Sequence, residues 1–326
     1  MKKLFLLLSI ACCAWSAWAQ AQTEESRLFI RPFRETFVNF PTSVLGTGVR
    51  LTVFLPEEKI PLSKQYPLVV FVGLPRNEVE VGESFAQKNE VIFAIVSWED
   101  WATSAVRQPD KLDEFMRREL LPHLETNYPV IDEENARTLV VHGGETEGAL
   151  LALAHPGTFG KAVFFSPKKF QSAGDFPSVK RIYLEGTPAQ LAVAQRTLET
   201  AGFEYGPGFA LRRIADEENP INRIDMDYLN APAEQVKIKR LEAFTQLSKL
   251  PAQGDESTGL RVVAWLQNGR WFEYVPQQVR FSPPYLAWDA LQGTITVLSG
   301  AQPGSVKIGS IVDKPKFSTK IKLKKL

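Results

Sequence analysis

The sequence predicts an α/β protein: a doubly wound, mainly parallel sheet covered by helices, followed by a small all-β domain. Three observations carry that expectation. Strand-like runs alternate with helical stretches from Val49 to Thr200, the order that builds a parallel sheet with crossover helices. Runs such as Leu68-Val69-Val70-Phe71-Val72 are apolar throughout, as a strand buried on both faces requires. Beyond Pro251 short strand-like runs continue and no helical period returns.

Taken in order, the first residues read as an export signal. Lys2 and Lys3 precede an apolar run from Leu4 to Ala11, and Ala17-Trp18-Ala19 supplies the small-x-small pattern of a cleavage site. The run is too short to span a bilayer. Lipidation of Cys12 or Cys13 is a competing reading, although Ser9-Ile10-Ala11 lacks the usual leucine. These are the only two cysteines, so a chain cut after Ala19 has no disulfide and must be held by its core. Net charge is +1, and losing Lys2 and Lys3 takes it to −1. Neither value steers the chain to nucleic acid, and no nucleic-acid partner, cofactor or transmembrane span is expected. An exported chain is expected in the periplasm, or bound to the outer membrane or cell surface.

Val49 to Leu55 alternates and stops at Pro56, a half-buried strand. Leu68 to Val72, Val91 to Val96, Thr138 to Val141, Ala162 to Phe165 and Arg181 to Leu184 read as further strands. Leu112, Phe115, Met116, Leu120 and Leu124 share one face of a helix between Lys111 and Thr126. Gly148 to Ala154 and Ala189 to Thr200 are expected helices, and another is expected from Ala233 to Lys249. Pro251 to Asp255 reads as a linker. Beyond it, Leu260 to Leu266 and Arg270 to Val275 flank Asn268-Gly269, a strong hairpin signal. Lys320-Ile321-Lys322-Leu323-Lys324 alternates like an exposed edge strand whose lysines discourage pairing; the competing reading is a polyanion-binding strand.

Several segments together resemble the putative esterase family of esterase D, feruloyl esterase and enterochelin esterase relatives. Phe54-Leu55-Pro56 followed by Tyr66-Pro67 and a strand ending at Gly73 is similar to the family's opening. Glu119-Leu120-Leu121-Pro122-His123-Leu124-Glu125 with Asn127-Tyr128 resembles the helix before its nucleophile strand. Arg137 to Val141, then Ala149-Leu150, His155-Pro156 and Phe159-Gly160, resembles that strand, its elbow and the next helix, and Ser166-Pro167 ends the following strand. The resemblance implies an α/β-hydrolase fold with a serine in a G-x-S-x-G turn. The expected organisation is a signal peptide over 1–19, an esterase-like α/β-hydrolase domain over 20–252 and a small all-β domain over 256–326.

The chemistry that the resemblance implies has no residues to carry it. The turn reads Val141-His142-Gly143-Gly144-Glu145-Thr146-Glu147-Gly148. Counting from Arg137 puts Gly143 in the nucleophile slot, and counting back from His155-Pro156 puts His142 there. Neither has a nucleophilic oxygen or sulfur. Gly144-Glu145-Thr146-Glu147-Gly148 offers Thr146 as a fallback nucleophile, against the plainer reading of a helix first turn with Thr146 as cap and Glu145 and Glu147 on the dipole. The triad order of this fold is nucleophile, acid, histidine, yet the three histidines are His123, His142 and His155, with none after residue 155. The loop where the histidine belongs reads Ala215-Asp216-Glu217-Glu218-Asn219-Pro220, and Pro188-Ala189-Gln190 stands where the acid belongs. No metal site is expected, because the histidines lack ligand spacing.

The expectation is therefore a catalytically silent esterase-like protein that binds or assembles in the bacterial envelope, with an envelope protein or a glycan as partner. His142, Glu145, Glu147 and the Trp98-Glu99-Asp100-Trp101 loop are expected to line the crevice at the carboxyl ends of the strands, either as binding groups or as a packed lid. Two alternatives stay open. One is a carbohydrate or acyl esterase with an unusual site on Thr146 or His142. The other is a glycan-binding protein that uses Trp271, Trp288 and the other aromatics of the β domain, whose plainer role is core.

Overall fold

The computed structural model describes residues 28–45, 48–73, 81–98, 108–170, 176–214, 219–311 and 316–325. The expected signal segment with Cys12 and Cys13, the residues Glu99, Asp100 and Trp101, and the acidic run 216–218 lie outside them. Among the described residues no helix is long and apolar enough to cross a membrane.

Six parallel strands form the centre of the molecule, in the order β6 (Ile92–Trp98), β5 (Leu68–Val72), β7 (Arg137–His142), β8 (Lys161–Phe165), β9 (Arg181–Gly186) and β10 (Phe209–Arg213). At one side β3 (Val49–Phe54) and β2 (Arg34–Phe40) add antiparallel strands; β1 (Leu28–Ile30) and β4 (Lys59–Pro61) pair apart from the sheet. Side chains of β5 and β6 are buried at every position, as their unbroken apolar runs anticipate. The covering helices are α1 (Gly82–Asn89), α2 (Pro109–Asn127), α3 (Thr146–Leu153), α4 (Pro188–Thr200) and the short α5 (Met226–Asn230). Leu112, Phe115, Met116, Leu120 and Leu124 are all buried on α2. The middle of α2, Met116–Leu120, winds as a π-helix. Pro122 has no N–H to return to Arg118, so the ladder loses a bond there.

The region expected to be helical from Ala233 to Lys249 is not. A 3-10 turn (Ala233–Val236) leads into β11 (Ile238–Thr245), which pairs antiparallel with β13 (Ser257–Leu266). The ladder shifts register between Ile238 and Arg240. That bulge breaks the two-residue alternation, so the strand does not look like one in sequence.

After β12 (Lys249–Pro251), all described elements are strands. β13 turns through Asn268-Gly269 into β14 (Trp271–Tyr274), the expected hairpin, with Trp265 opposite Trp271. These strands do not stand apart from the main sheet: β14 pairs with β10 at Leu211–Glu273. Phe272 is fully buried against Tyr183 and Tyr228. β16 (Leu286–Asp289) and β17 (Thr294–Val297) continue the sheet from the other end of β13.

A four-stranded sheet runs β12, β19 (Ser318–Lys324), β18 (Gly304–Ser310) and β15 (Val279–Ser282). The lysine-rich β19 is therefore no edge strand. β18 pairs with it from Ser318 to Leu323 and β12 from Lys322 to Lys324, so edge protection does not explain Lys322, where both partners are present.

Candidate functional site

β7 ends at His142 and the chain turns sharply into α3. Gly143 has φ +66°, a left-handed conformation that costs a side-chain-bearing residue about 1–2 kcal/mol. Residues Gly143–Glu145 make one 3-10 turn and α3 begins at Thr146. His142 is still a strand residue, opposite Phe165, so Gly143 holds the sharp-turn position. Among the described residues, nothing lies within 4 Å of a Cβ added at Gly143. None of them occupies the place of a side chain there, where the resembled esterases carry a nucleophile, and glycine supplies none.

Thr146, the fallback nucleophile, is fully buried. Its hydroxyl donates to the Gly143 carbonyl oxygen at 2.8 Å and accepts from the Lys168 backbone N–H at 3.2 Å. The hydroxyl clamps the turn from beneath and presents nothing to a substrate. Thr146 is the first residue of α3 but not its cap: the N-cap position is Glu145, which makes no side-chain cap hydrogen bond.

Glu145 and Glu147 part company. Glu147 is exposed, with its carboxylate 3.7 Å from Lys169 Nζ. Glu145 is 5% exposed, and its Oε2 is buried without a hydrogen-bond partner. Oε2 stands 2.9 Å from the point where a Cβ of Gly73 would lie. Gly73 leaves β5 with φ +90°, so only glycine leaves this space for the carboxyl. Burial pushes the Glu145 carboxyl up to about 7, against weaker pulls from its own backbone N–H and Lys168. In the α/β-hydrolases that the sequence resembles, the oxyanion hole uses an N–H just after the nucleophile and another from the loop that follows a central strand and leads into the first covering helix; the loop after β5 has that place here. The Glu145 carboxyl lies between the turn after Gly143 and the start of the loop after β5. Near neutral pH this carboxyl is about half ionised, and the ionised form is an acceptor where donors are needed.

The strand ends beyond the elbow carry an ion pair that sequence reasoning missed. Glu185, in β9, is fully buried, and Arg223 Nη1 donates to its Oε1 at 2.7 Å. The Tyr183 hydroxyl donates to Oε2 at 3.4 Å. The sequence leads one to expect the acid after the strand, where Pro188-Ala189-Gln190 stands, whereas this carboxylate lies within the strand, at the glutamate of Arg181-Ile182-Tyr183-Leu184-Glu185-Gly186. Arg223 closes a 3-10 turn (Pro220–Arg223) shortly after the loop expected to hold a histidine. Its guanidinium lies 5.1 Å from the Phe165 ring centre. Burial holds the half-buried His142 below the usual imidazole range, and the charges of Arg223 and Lys168 lower it further. His142 is thus a neutral imidazole at pH 7, close to two cations.

Trp98 is not a crevice platform. It is 5% exposed and packs edge-on against Phe115, 6.3 Å between ring centres. The companion Trp101 lies outside the described residues. The other histidines are structural in position: His123 packs edge-on against Phe37 and Phe40, and His155 Nε2 lies 3.3 Å from Asp113 Oδ2. Among the described residues no three metal-ligating side chains converge.

No family model matches the chain, and no curated protein does. Solved structures do resemble it. A ferulic acid esterase aligns over 62% of this chain and 96% of its own, with 15% identity and TM-score 0.43. The CE1 ferulic acid esterase AmCE1/Fae1A from Anaeromyces mucronatus aligns over 64% and 93%, with 13% identity and TM-score 0.45. The enterobactin esterase FES from Shigella flexneri aligns over 61% and 59%, with 14% identity and TM-score 0.45.

Proposed function

We propose that this chain is an esterase-like α/β-hydrolase scaffold without acyl-transfer chemistry, serving as a binding or assembly component of the bacterial cell envelope. The observation that carries the reading is the elbow. The residue at its sharp turn is Gly143, whose side-chain direction meets none of the described residues, and the buried Glu145 lies two residues on. Acyl transfer needs a nucleophile, a base to take its proton and donors for the oxyanion. Gly143 supplies no nucleophile. An ion pair of Glu185 and Arg223 lies near the strand ends where acid and base are expected; an arginine stays protonated and accepts no proton. The export pattern at the start of the sequence supports the envelope as the place of action.

The test is hydrolysis of p-nitrophenyl acetate together with labelling by a fluorophosphonate probe. The chain is expected to hydrolyse no faster than its His142→Ala, Thr146→Ala double variant and to take no label. A rate well above that variant, or a stoichiometric label, overturns the reading in favour of an esterase with a non-standard site.

A further inference from the structure

The four strands β12, β19, β18 and β15 contain six cationic residues and no aspartate or glutamate: Lys249, Arg280, Lys307, Lys320, Lys322 and Lys324. All six are exposed. The register places them on one side of the sheet. Lys307 stands directly opposite Lys320, and Lys249 directly opposite Lys322. Ser282, Ser305 and Ser318 occupy the same side, opposite Lys307, Lys322 and Gly309. The alternate residues Val306, Ile308, Ile321 and Leu323 are buried on the other side.

Like charges directly opposite one another destabilise a sheet. Among the described residues no carboxylate lies within 4 Å of any of the six to relieve that repulsion. Edge protection does not account for Lys307 and Lys322, each of which has a ladder partner on both sides. A surface tuned for solubility mixes both signs, and this one does not. A face that is costly to the free protein is a face that a counter-charged partner relieves.

We infer that this face binds a linear acidic glycan, a polymer whose sugars carry carboxylate, sulfate or phosphate groups. The cations form a grid, about 7 Å apart along a strand and about 5 Å apart between strands, suited to a chain of repeating charges. The serines between them offer hydroxyls that donate to and accept from sugar hydroxyls. At the Arg280 end the face opens into a cavity of about 630 Å³, whose described lining includes Arg280, Ser282, Lys307 and Ser318 and no carboxylate. Within β15, β18 and β19 no aromatic or large apolar side chain shares the face with the lysines, which favours a glycan over single-stranded nucleic acid or lipid; the apolar Ile311 and Phe317 line the cavity. This site is independent of the elbow and of its chemistry.

The test uses the full chain and a fluorescent heparin dodecasaccharide, with chain-matched neutral dextran, a 20-nucleotide single-stranded DNA and phosphatidylglycerol vesicles as comparison probes. Heparin binding is expected at 50 mM salt, weakening steeply as salt rises, and stronger than binding to the other three. The Lys307→Glu, Lys320→Glu, Lys322→Glu variant is expected to lose at least tenfold in affinity, and the corresponding triple arginine variant to retain it. The single Lys320→Glu variant guards against misfolding: opposite Lys307 it makes an ion pair, so its melting temperature is expected to rise while heparin binding falls. Binding no stronger than to dextran, affinity retained by the triple glutamate variant, or tighter binding to DNA or vesicles than to heparin would each overturn the inference.

Discussion

Glu145 is the residue at which burial, charge and geometry meet most sharply. Its carboxyl is enclosed against Gly73 with one oxygen lacking a partner, and burial carries it from an ordinary 4.5 up to about 7. The sign of the consequence follows from proton counts. Below pH 4.5 the carboxyl is protonated in both states. Between 4.5 and about 7 the unfolded chain releases the proton and the folded chain keeps it, so stability falls as pH rises. Above 7 both are ionised and the loss is complete, about 3 kcal/mol. Glu145→Gln removes the titration. The stability difference between variant and native chain, from urea unfolding at a series of pH values, is expected to grow by about 3 kcal/mol in favour of glutamine from pH 4.5 to 7.5. A flat difference would show that the carboxyl is solvated. The sequence placed Glu145 at the mouth but gave no sign that it turns inward while Glu147 turns out. Both stand in one Glu-Thr-Glu run, and only the absence of a side chain at Gly73, some 70 residues earlier, makes the room.

Among elements, the join between β10 and β14 is held by few backbone bonds and much side-chain chemistry. One residue pair, Leu211–Glu273, registers the two strands. Glu273 is 1% exposed and lies between Arg261, whose Nε donates to Oε1 at 2.5 Å, and Arg213, 3.6 Å from Oε2. The Tyr205 hydroxyl donates to the Glu273 carbonyl oxygen. Removing one partner of a buried charge cluster costs about 3–5 kcal/mol; here Arg213 and Arg261 are partly exposed and water recovers part of that. Glu273→Ala is expected to speed hydrogen exchange at Trp271–Tyr274 by tenfold or more, leaving the β7 amides nearly unchanged. Equal acceleration at both would mean that the sheet opens as one. The strands flanking this join were readable wherever alternation or Asn268-Gly269 marked them. β11 was not, because its bulge at Ile238 and Arg240 shifts the pattern by one residue. Nor was α1, whose Gly-Glu-Ser-Phe-Ala-Gln-Lys-Asn carries only Phe85 and Ala86 as buried side chains and so has too short an apolar stripe to mark a helix.

At the scale of the whole molecule, the α/β half and its strand-rich continuation share one core. A division near residue 252 would cut between β11, which precedes it, and β13, which follows it and forms with β11 a ladder from Ile238–Leu266 to Thr245–Leu260. It would also strip Phe272 from Tyr183 and Tyr228, and Tyr274 from Tyr205, 5.3 Å between ring centres. Each large side chain buried across such a seam contributes about 1.5–3 kcal/mol, and marginal native stability is only about 5–15 kcal/mol. The truncated chain 20–252 is therefore expected not to reach a native state by itself. The full chain is expected to unfold in a single calorimetric transition whose van't Hoff and calorimetric enthalpies agree. Two resolved transitions, or a truncated chain with a sharp melt of its own, would show that the strands after residue 252 form an independent unit and that the ladder joining β11 to β13 is an interface between two folded bodies.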